Sequence, residues 1–278
     1  MTEKRLTGPF VVNEIAQLVN TKNRKYIIQL KYGAKFHTNQ GIILLDEIIG
    51  LSEGSIITSS KGENFSVFRP LLTDYIMSMP RSAQIIYPKD SAQIIYEGDI
   101  TFGAKVLEAG TGSGSLSCAM LRAIGFKGYI TSYEVRKDHA YNSECNIKKF
   151  FSEIPKNWNL ILGNVNEYKG PRVDRAVLDV LAPWEVLQFV ADSLMIGGVL
   201  MIYVTTVTQL SRTIEFLREQ NCWNEPSAWE TIQRGWHVIN LAVRPMSIIH
   251  NHTAFLIKVR KLASKSEFFF LKKNPKSI

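Results

Sequence analysis

Apolar and polar positions along the chain fall into two textures. Between residues 10 and 80 the apolar runs are short: "FVVNEIAQLVN", "KYIIQL", "SIITSS" and "FSVFRP" are broken by Asn, Gly and Lys turns. Short β-rich runs at close spacing predict small twisted sheets or a barrel, and so a separate N-terminal β domain over residues 1–80. From about residue 89 longer helical patterns alternate with buried strands, "KVLEAG", "YITSYE", "NLILGN", "RAVLDV", "GVLMIYV" and, near the end, "TAFLIKVR". That alternation predicts an α/β domain over residues 81–264, with a mostly parallel, doubly wound sheet and helices on both faces. The last stretch, "KSEFFFLKKNPKSI" over residues 265–278, reads as a basic tail, either a docking strand or helix or a mobile extension. No internal repeat is visible.

Composition narrows the class only a little. At 278 residues, 45% hydrophobic and 21% charged, the chain has material for one large and one smaller globular domain. No apolar stretch approaches the roughly 18 residues that span a bilayer, and "MTEKRLTGPF" lacks an apolar leader core, so a cytoplasmic protein without membrane contact is expected. Cys118, Cys145 and Cys222 are odd in number and far apart, which excludes a disulfide framework or a CxxC metal knuckle and leaves reduced thiols and no metal.

The net charge of +8 favours anionic partners, and its distribution sharpens that reading. Residues 1–40 carry seven Lys or Arg against Glu3 and Glu14, and the chain from Lys258 onward carries seven against Glu267. A near-neutral middle flanked by basic ends fits a catalytic core with polyanion-gripping surfaces, although a merely solvated surface would look the same.

The candidate chemistry centres on "VLEAGTGSGSLS". Glycines in a strand–turn–helix let the backbone approach a ligand, while the helix start offers free N–H groups. The glycines Gly110, Gly112 and Gly114 read G-T-G-S-G, and Ser115 stands where a dinucleotide fold would place its third glycine. The E-x-G-x-G-x-G pattern beginning at Glu108 instead resembles motif I of the S-adenosylmethionine-dependent methyltransferases. What that resemblance implies is a cofactor held by Glu108, Gly110, Thr111, Gly112, Ser113, Gly114, Ser115 and Leu116, with Ile86 from the preceding segment. Glu134, twenty-six residues after Glu108 in "TSYEVRK", falls where an acid would hold the ribose hydroxyls, since a carboxylate accepts from both. Asn164 in "LILGNVNEY" occupies the position of an acid that contacts the adenine amino group in many relatives; its amide oxygen still accepts, and Val165 would pack on the adenine. His139 falls near the adenosine or is simply a surface histidine.

The next strand ends "RAVLDVLAPWEVL". Open α/β sheets place chemistry at strand carboxyl ends, so Asp179 is the expected catalytic carboxylate, or else a helix cap. The N-P-P-Y and D-P-P-Y signatures of exocyclic-amine methylation are absent, because Pro183 and Trp184 are displaced.

Taken from about residue 8 to 262, the chain resembles the tRNA adenine-58 N1-methyltransferase family, particularly its bacterial and archaeal homotetrameric branch. The resemblance rests on "FHTNQGIILLDEIIG", "PRSAQIIYPKD", "VLEAGTGSGSLS", "LDVLAPWE" and "GWHVINLAVRP…NHTAFL", with Asn251 and Ala254 replacing glycines of the last motif. It implies a Rossmann-like class I methyltransferase sheet with a small N-terminal β domain, S-adenosylmethionine as cofactor, tRNA as partner and a homotetramer built as a dimer of dimers. It implies methylation at N1 of the T-loop adenine, with Asp179 accepting from the N6 amino group. Tyr87 would line the cofactor or base pocket, or the core, and Gln84 would read the base edge or face solvent. Lys35, His37, Thr38, Asn39, Arg81, Arg244 and His252 would hold tRNA, with Arg69 and Arg234 as further candidates. Competing readings are a methyltransferase acting on protein, a non-catalytic tRNA-binding subunit, and, least compatible with the glycine spacing, an NAD oxidoreductase.

Overall fold

The computed structural model describes residues 7–80, 84–246 and 252–263. Six short strands form the N-terminal region: β1 (Ile15–Asn20), β2 (Lys25–Gln29), β3 (Lys35–Thr38), β4 (Gly41–Leu44), β5 (Ile56–Thr58) and β6 (Asn64–Phe68). They make an antiparallel sheet in the order β2-β1-β6-β5 and a separate β3–β4 hairpin. Alternate residues of β1 and β6 turn inward, so that Ala16, Leu18, Phe65 and Val67 meet Phe10, Leu30, Ile43 and Ile48 in one apolar core.

The remaining chain runs α1 (Leu72–Ser78), α2 (Pro88–Glu97), β7 (Lys105–Ala109), α3 (Ser115–Ile124), β8 (Tyr129–Glu134), α4 (Lys137–Phe151), β9 (Trp158–Leu162), β10 (Val173–Leu178), α5 (Leu187–Ser193), β11 (Leu194–Val204), α6 (Val207–Glu219), β12 (Ser227–Trp229), β13 (Trp236–Ile239), β14 (Ala242–Pro245) and β15 (Phe255–Arg260). Seven of these strands form one sheet in the order β12-β15-β11-β10-β7-β8-β9. The five from β11 to β9 run parallel, and β15 joins β11 antiparallel. The expected doubly wound α/β sheet is therefore present, with its antiparallel strands gathered at one side.

Period-2 alternation distributes the sheet between two cores. Val106, Ile130, Val177, Met201 and Leu256 face a layer containing Tyr75, Ile94, Leu116, Met120 and Phe150 from α1 to α4. Leu107, Ala176, Leu178, Leu200 and Ile257 face Leu187 and Val190 of α5 and Leu217 of α6. Burial on both faces is why these strands read as continuous apolar runs. The helix α1 belongs to this second body: Tyr75 and Ile76 are in its core, and the Tyr75 hydroxyl donates to the Asn146 carbonyl at 2.7 Å. The strand order reverses between β7 and β10, and the crevice outside their carboxyl ends is where open α/β sheets bind ligands. The β13–β14 hairpin stands apart from the sheet, with Trp236, Val238, Ile239, Leu241 and Val243 all exposed. No helix among the described residues is long and apolar enough to cross a membrane.

Candidate active site

The turn after β7 is fastened on both sides. The Gly110 N–H donates to the Tyr133 carbonyl at 2.9 Å, and the Asp179 N–H donates to the Ala109 carbonyl at 2.8 Å. A Cβ on Gly110 would lie 1.9 Å from the Asp179 carbonyl oxygen, and φ there is +83°, so only glycine fits. Gly112 (φ +55°) offers its N–H to Glu134 Oε2 at 2.9 Å. The turn thus ties the ends of β7, β8 and β10 together around a cavity of about 720 Å³.

Gly110, Gly112, Glu134, His139, Asn164, Val165 and Asp179, half of the cofactor candidates, line that cavity together with Gln84. Asp179 is half-buried, and its carboxylate makes no hydrogen bond among the described residues. Burial, then the negative charges of Glu108 and Glu134, push its pKa up to about 7. His139 lies with Nδ1 3.9 Å from Glu134 Oε2, while its Nε2 is buried without a partner among the described residues. Glu134 Oε1 also accepts from the Arg136 N–H at 3.0 Å. Asn164 caps a single 3-10 turn, its side chain accepting from the Asn166 N–H at 3.0 Å, which leaves its amide oxygen one lone pair for a ligand.

Other candidates support the turn from beneath. Glu108 is 1% exposed and points away from the cavity, into the helix layer, because alternation along β7 puts it on the face of Val106. Both its oxygens accept from the Ser117 hydroxyl, at 2.9 and 2.8 Å, and Oε2 also accepts from the Ser132 hydroxyl, which in turn accepts from Trp158 Nε1 at 2.9 Å. Burial pushes the Glu108 pKa up to about 7 despite those donors. Thr111, Ser113, Gly114, Ser115, Leu116 and Ile86 likewise form the turn's underside without lining the cavity: the Ile86 N–H donates to Ser115 Oγ at 3.3 Å, and Asn146 Nδ2 donates to the Ser113 carbonyl at 2.9 Å.

Beside the cavity lies a polar cluster that sequence reasoning passed over. Lys89 Nζ donates to Asp90 Oδ1 at 2.7 Å and to Thr253 Oγ1 at 2.6 Å, and Thr253 Oγ1 donates to Asp90 Oδ2 at 2.6 Å. Tyr203, at the carboxyl end of β11, presents a buried hydroxyl toward Thr253, and burial with the charges of Asp90 and Asp179 raises its pKa well above the ordinary phenol range. A polar tip closing "VLMIYV" was the available signal. Tyr87 precedes α2 and packs at the margin of the same core.

Two proposed tRNA contacts are otherwise engaged. Arg69 is buried: Nε meets Glu14 at 2.6 Å, Nη1 meets Glu53 at 3.2 Å, and the guanidinium stacks 4.7 Å over Phe10, so it braces the N-terminal region instead. His252 bridges Glu230 Oε2 (2.9 Å) and the Thr205 carbonyl (3.0 Å). Both partners accept, so both ring nitrogens donate, and the pKa of the ring is raised. Lys35, His37 and Asn39 are exposed on the β3–β4 hairpin and its turn, Thr38 half-buried between them, and Arg234 and Arg244 are exposed beside and on the β13–β14 hairpin. Arg81, Asn251 and the basic tail 265–278 lie outside the described residues. A second cavity of about 660 Å³, beneath the β9–β10 connection, contains none of the candidates.

Residues 67–255 match the family model described as the tRNA methyltransferase complex GCD14 subunit, and residues 8–57 match that of the TrmI-like N-terminal region. The chain is 33% identical over 248 residues to the tRNA (adenine(58)-N(1))-methyltransferase TrmI of Thermus thermophilus, covering 88% of this chain and 95% of that one. It is 28% identical over 269 residues to the tRNA (adenine(57)-N(1)/adenine(58)-N(1))-methyltransferase TrmI of Methanocaldococcus jannaschii, covering 87% and 93%. Among solved structures, the tRNA (m1A58) methyltransferase TrmI of Aquifex aeolicus superposes with a TM-score of 0.80 at 28% identity, over 92% of this chain and all of that one. A SAM-dependent O-methyltransferase of Thermotoga maritima superposes with a TM-score of 0.88, also at 28% identity, over 94% and 97%.

Proposed function

The chain belongs to the tRNA methyltransferase complex GCD14 subunit family, and from that premise we propose that it methylates N1 of adenine 58 in the T-loop of tRNA, using S-adenosylmethionine. The observation that carries the chemistry is Asp179: a carboxylate without a hydrogen-bond partner among the described residues, just past the tip of β10 and fixed by its own backbone to the end of β7 where the glycine turn begins. The cavity suits the cofactor on three grounds: a turn that admits no Cβ, an acid positioned for vicinal hydroxyls, and the buried Nε2 of His139, without a partner among the described residues. Gly110, Gly112, Glu134, His139, Asn164 and Val165 hold it; Glu108, Thr111, Ser113, Gly114, Ser115, Leu116 and Ile86 shape the wall that does so.

Bound S-adenosylmethionine supplies an electrophilic methyl group. Adenine N1 attacks through an in-plane lone pair on the Watson–Crick edge, so the base must leave its stack and enter the crevice. Ionised Asp179 accepts from N6–H, raising N1 nucleophilicity and opposing the positive charge that develops on the ring; terms of this kind contribute about 3 kcal/mol or more. Tyr87 and Tyr203 flank the base, and Gln84 meets its edge. Lys35, His37, Thr38, Asn39, Arg234 and Arg244 take phosphate contacts, with Arg81 beside Gln84 in sequence. His252, exposed and held by Glu230 and the Thr205 carbonyl, adds a further contact.

The apolar residues of the β13–β14 hairpin, exposed on both faces, suit burial against a second copy of the chain, which supports the homotetramer. A tRNA substrate also fits a cytoplasmic location. Incubating the purified protein with unmodified tRNA and methyl-labelled cofactor, followed by nucleoside analysis, tests the reading. Label appears in 1-methyladenosine; label in N6-methyladenosine, or on protein, rejects it.

A further inference from the structure

Two carboxylates line the crevice, Glu134 at the end of β8 and Asp179 immediately after β10, and a third, Glu108 on the intervening β7, is buried beneath the turn. Arg136 is the one described lysine or arginine that lines the crevice, and it faces Glu134 rather than Asp179. The Arg136 guanidinium pairs with Asp138 at 2.8 Å, and Lys89 is closed off by Asp90 and Thr253. The other groups around Asp179 are His139 from α4, Glu185 from the turn before α5, the Tyr203 phenol from β11 and the neutral Lys89–Asp90 pair from α2. Glu134 is stabilised as an anion by two backbone N–H groups, and Glu108 receives two hydroxyls, whereas Asp179 has neither. Asp179, facing the crevice with no donor among the described residues to hold its charge, takes up a proton readily, and burial raises its pKa to about 7; Glu108, raised as far, is closed beneath the turn away from any ligand.

The ligands of such a site differ in charge. The methyl donor carries a sulfonium cation, and the demethylated product carries a neutral sulfur. We propose that the carboxylate cluster makes this crevice charge-selective and proton-coupled: the cationic donor enters with loss of one proton, taken chiefly from Asp179, and the neutral product displaces none. This rests on the reading of the crevice as the S-adenosylmethionine site. The balance is simple. The free site gives its proton to solvent as the cation binds, the positive charge passes from sulfur to the base during transfer, and Asp179 takes a proton back from solvent when both products have left. Donor binding thus generates the ionised carboxylate that the N6–H requires.

Titration calorimetry of the full chain with S-adenosylmethionine, and separately with S-adenosylhomocysteine, in buffers of low and high ionisation enthalpy, counts the protons released. At pH 7 a group with pKa about 7 releases about half a proton on donor binding. That number rises toward one at pH 6, donor affinity falls up to about tenfold per unit below pH 7, and the product shows neither effect. Asp179→Asn, with folding checked by circular dichroism, binds both ligands without proton release. Equal release by donor and product in the wild type overturns the proposal with no variant needed, as does donor-linked release that survives in Asp179→Asn. Failure of both ligands to bind overturns the assignment of the crevice itself.

Discussion

Replacing Gly110 by alanine tests whether the turn sets the position of Asp179. The added Cβ would sit 1.9 Å from the Asp179 carbonyl oxygen and 2.8 Å from its carbonyl carbon, whereas ordinary contact begins at 3.4 Å. About 1.5 Å must therefore be found by moving the end of β10 away from β7, and misplacement on that scale costs reactions roughly 100-fold. The positive φ adds about 1–2 kcal/mol of strain for any residue with a Cβ. Gly103 supplies the matched control: its φ is +86° and a Cβ there meets nothing within 4 Å, so Gly103→Ala carries the strain alone. In a domain of this size 1–2 kcal/mol lowers Tm by about 3–8 °C. Both variants should lose that stability, but only Gly110→Ala should also lose cofactor affinity and at least ~100-fold in kcat/KM for tRNA methylation. Equal catalytic losses in the two variants, or a fully active Gly110→Ala, would refute the reasoning.

Removing the Ser132 hydroxyl by Ser132→Ala strips Glu108 of a donor and Trp158 Nε1 of its acceptor, so thermal unfolding should report about 1–3 kcal/mol of lost stability. For stability against pH, Asp179 binds its proton more tightly folded than unfolded, so its contribution is full below about pH 4 and is lost as pH rises through 7. Asp179→Asn should accordingly unfold a few degrees above the wild type at pH 8 and level with it at pH 4. Leu241 is 99% exposed at the tip of the β13–β14 hairpin, and if the proposed homotetramer buries it, Leu241→Lys should sediment as smaller species than the wild type while cofactor binding stays unchanged.

The parallel strands were legible because helices cover both faces of the sheet, so each strand is a near-continuous apolar run that the boundaries in "KVLEAG", "YITSYE" and "RAVLDV" nearly mark. The crevice was legible because the glycine turn directly follows a parallel strand, and open α/β sheets bind ligands at strand carboxyl ends. What motif reading could not separate was the upper from the lower side of the turn. Glu108 and Glu134 look equivalent in sequence, yet alternation sends Glu108 beneath α3 to Ser117 and Ser132, while Glu134 reaches the cavity. The partners of the tRNA-contact candidates Arg69 and His252 are invisible in the sequence because they are remote: Glu14 and Glu53 for one, Glu230 and Thr205 for the other. Tyr203 and the Lys89–Asp90–Thr253 cluster depend on β15 returning beside β11, a pairing that no local pattern encodes.

The central claim is that the charge on Asp179 stabilises the cation formed on the purine. Single-turnover methylation of tRNA by Asp179→Asn, with cofactor and tRNA both shown to be bound, measures it most directly. The expected rate is reduced about 10²–10³-fold, with 1-methyladenosine still the product. A rate within about threefold of the wild type, under 0.7 kcal/mol of barrier, would contradict it.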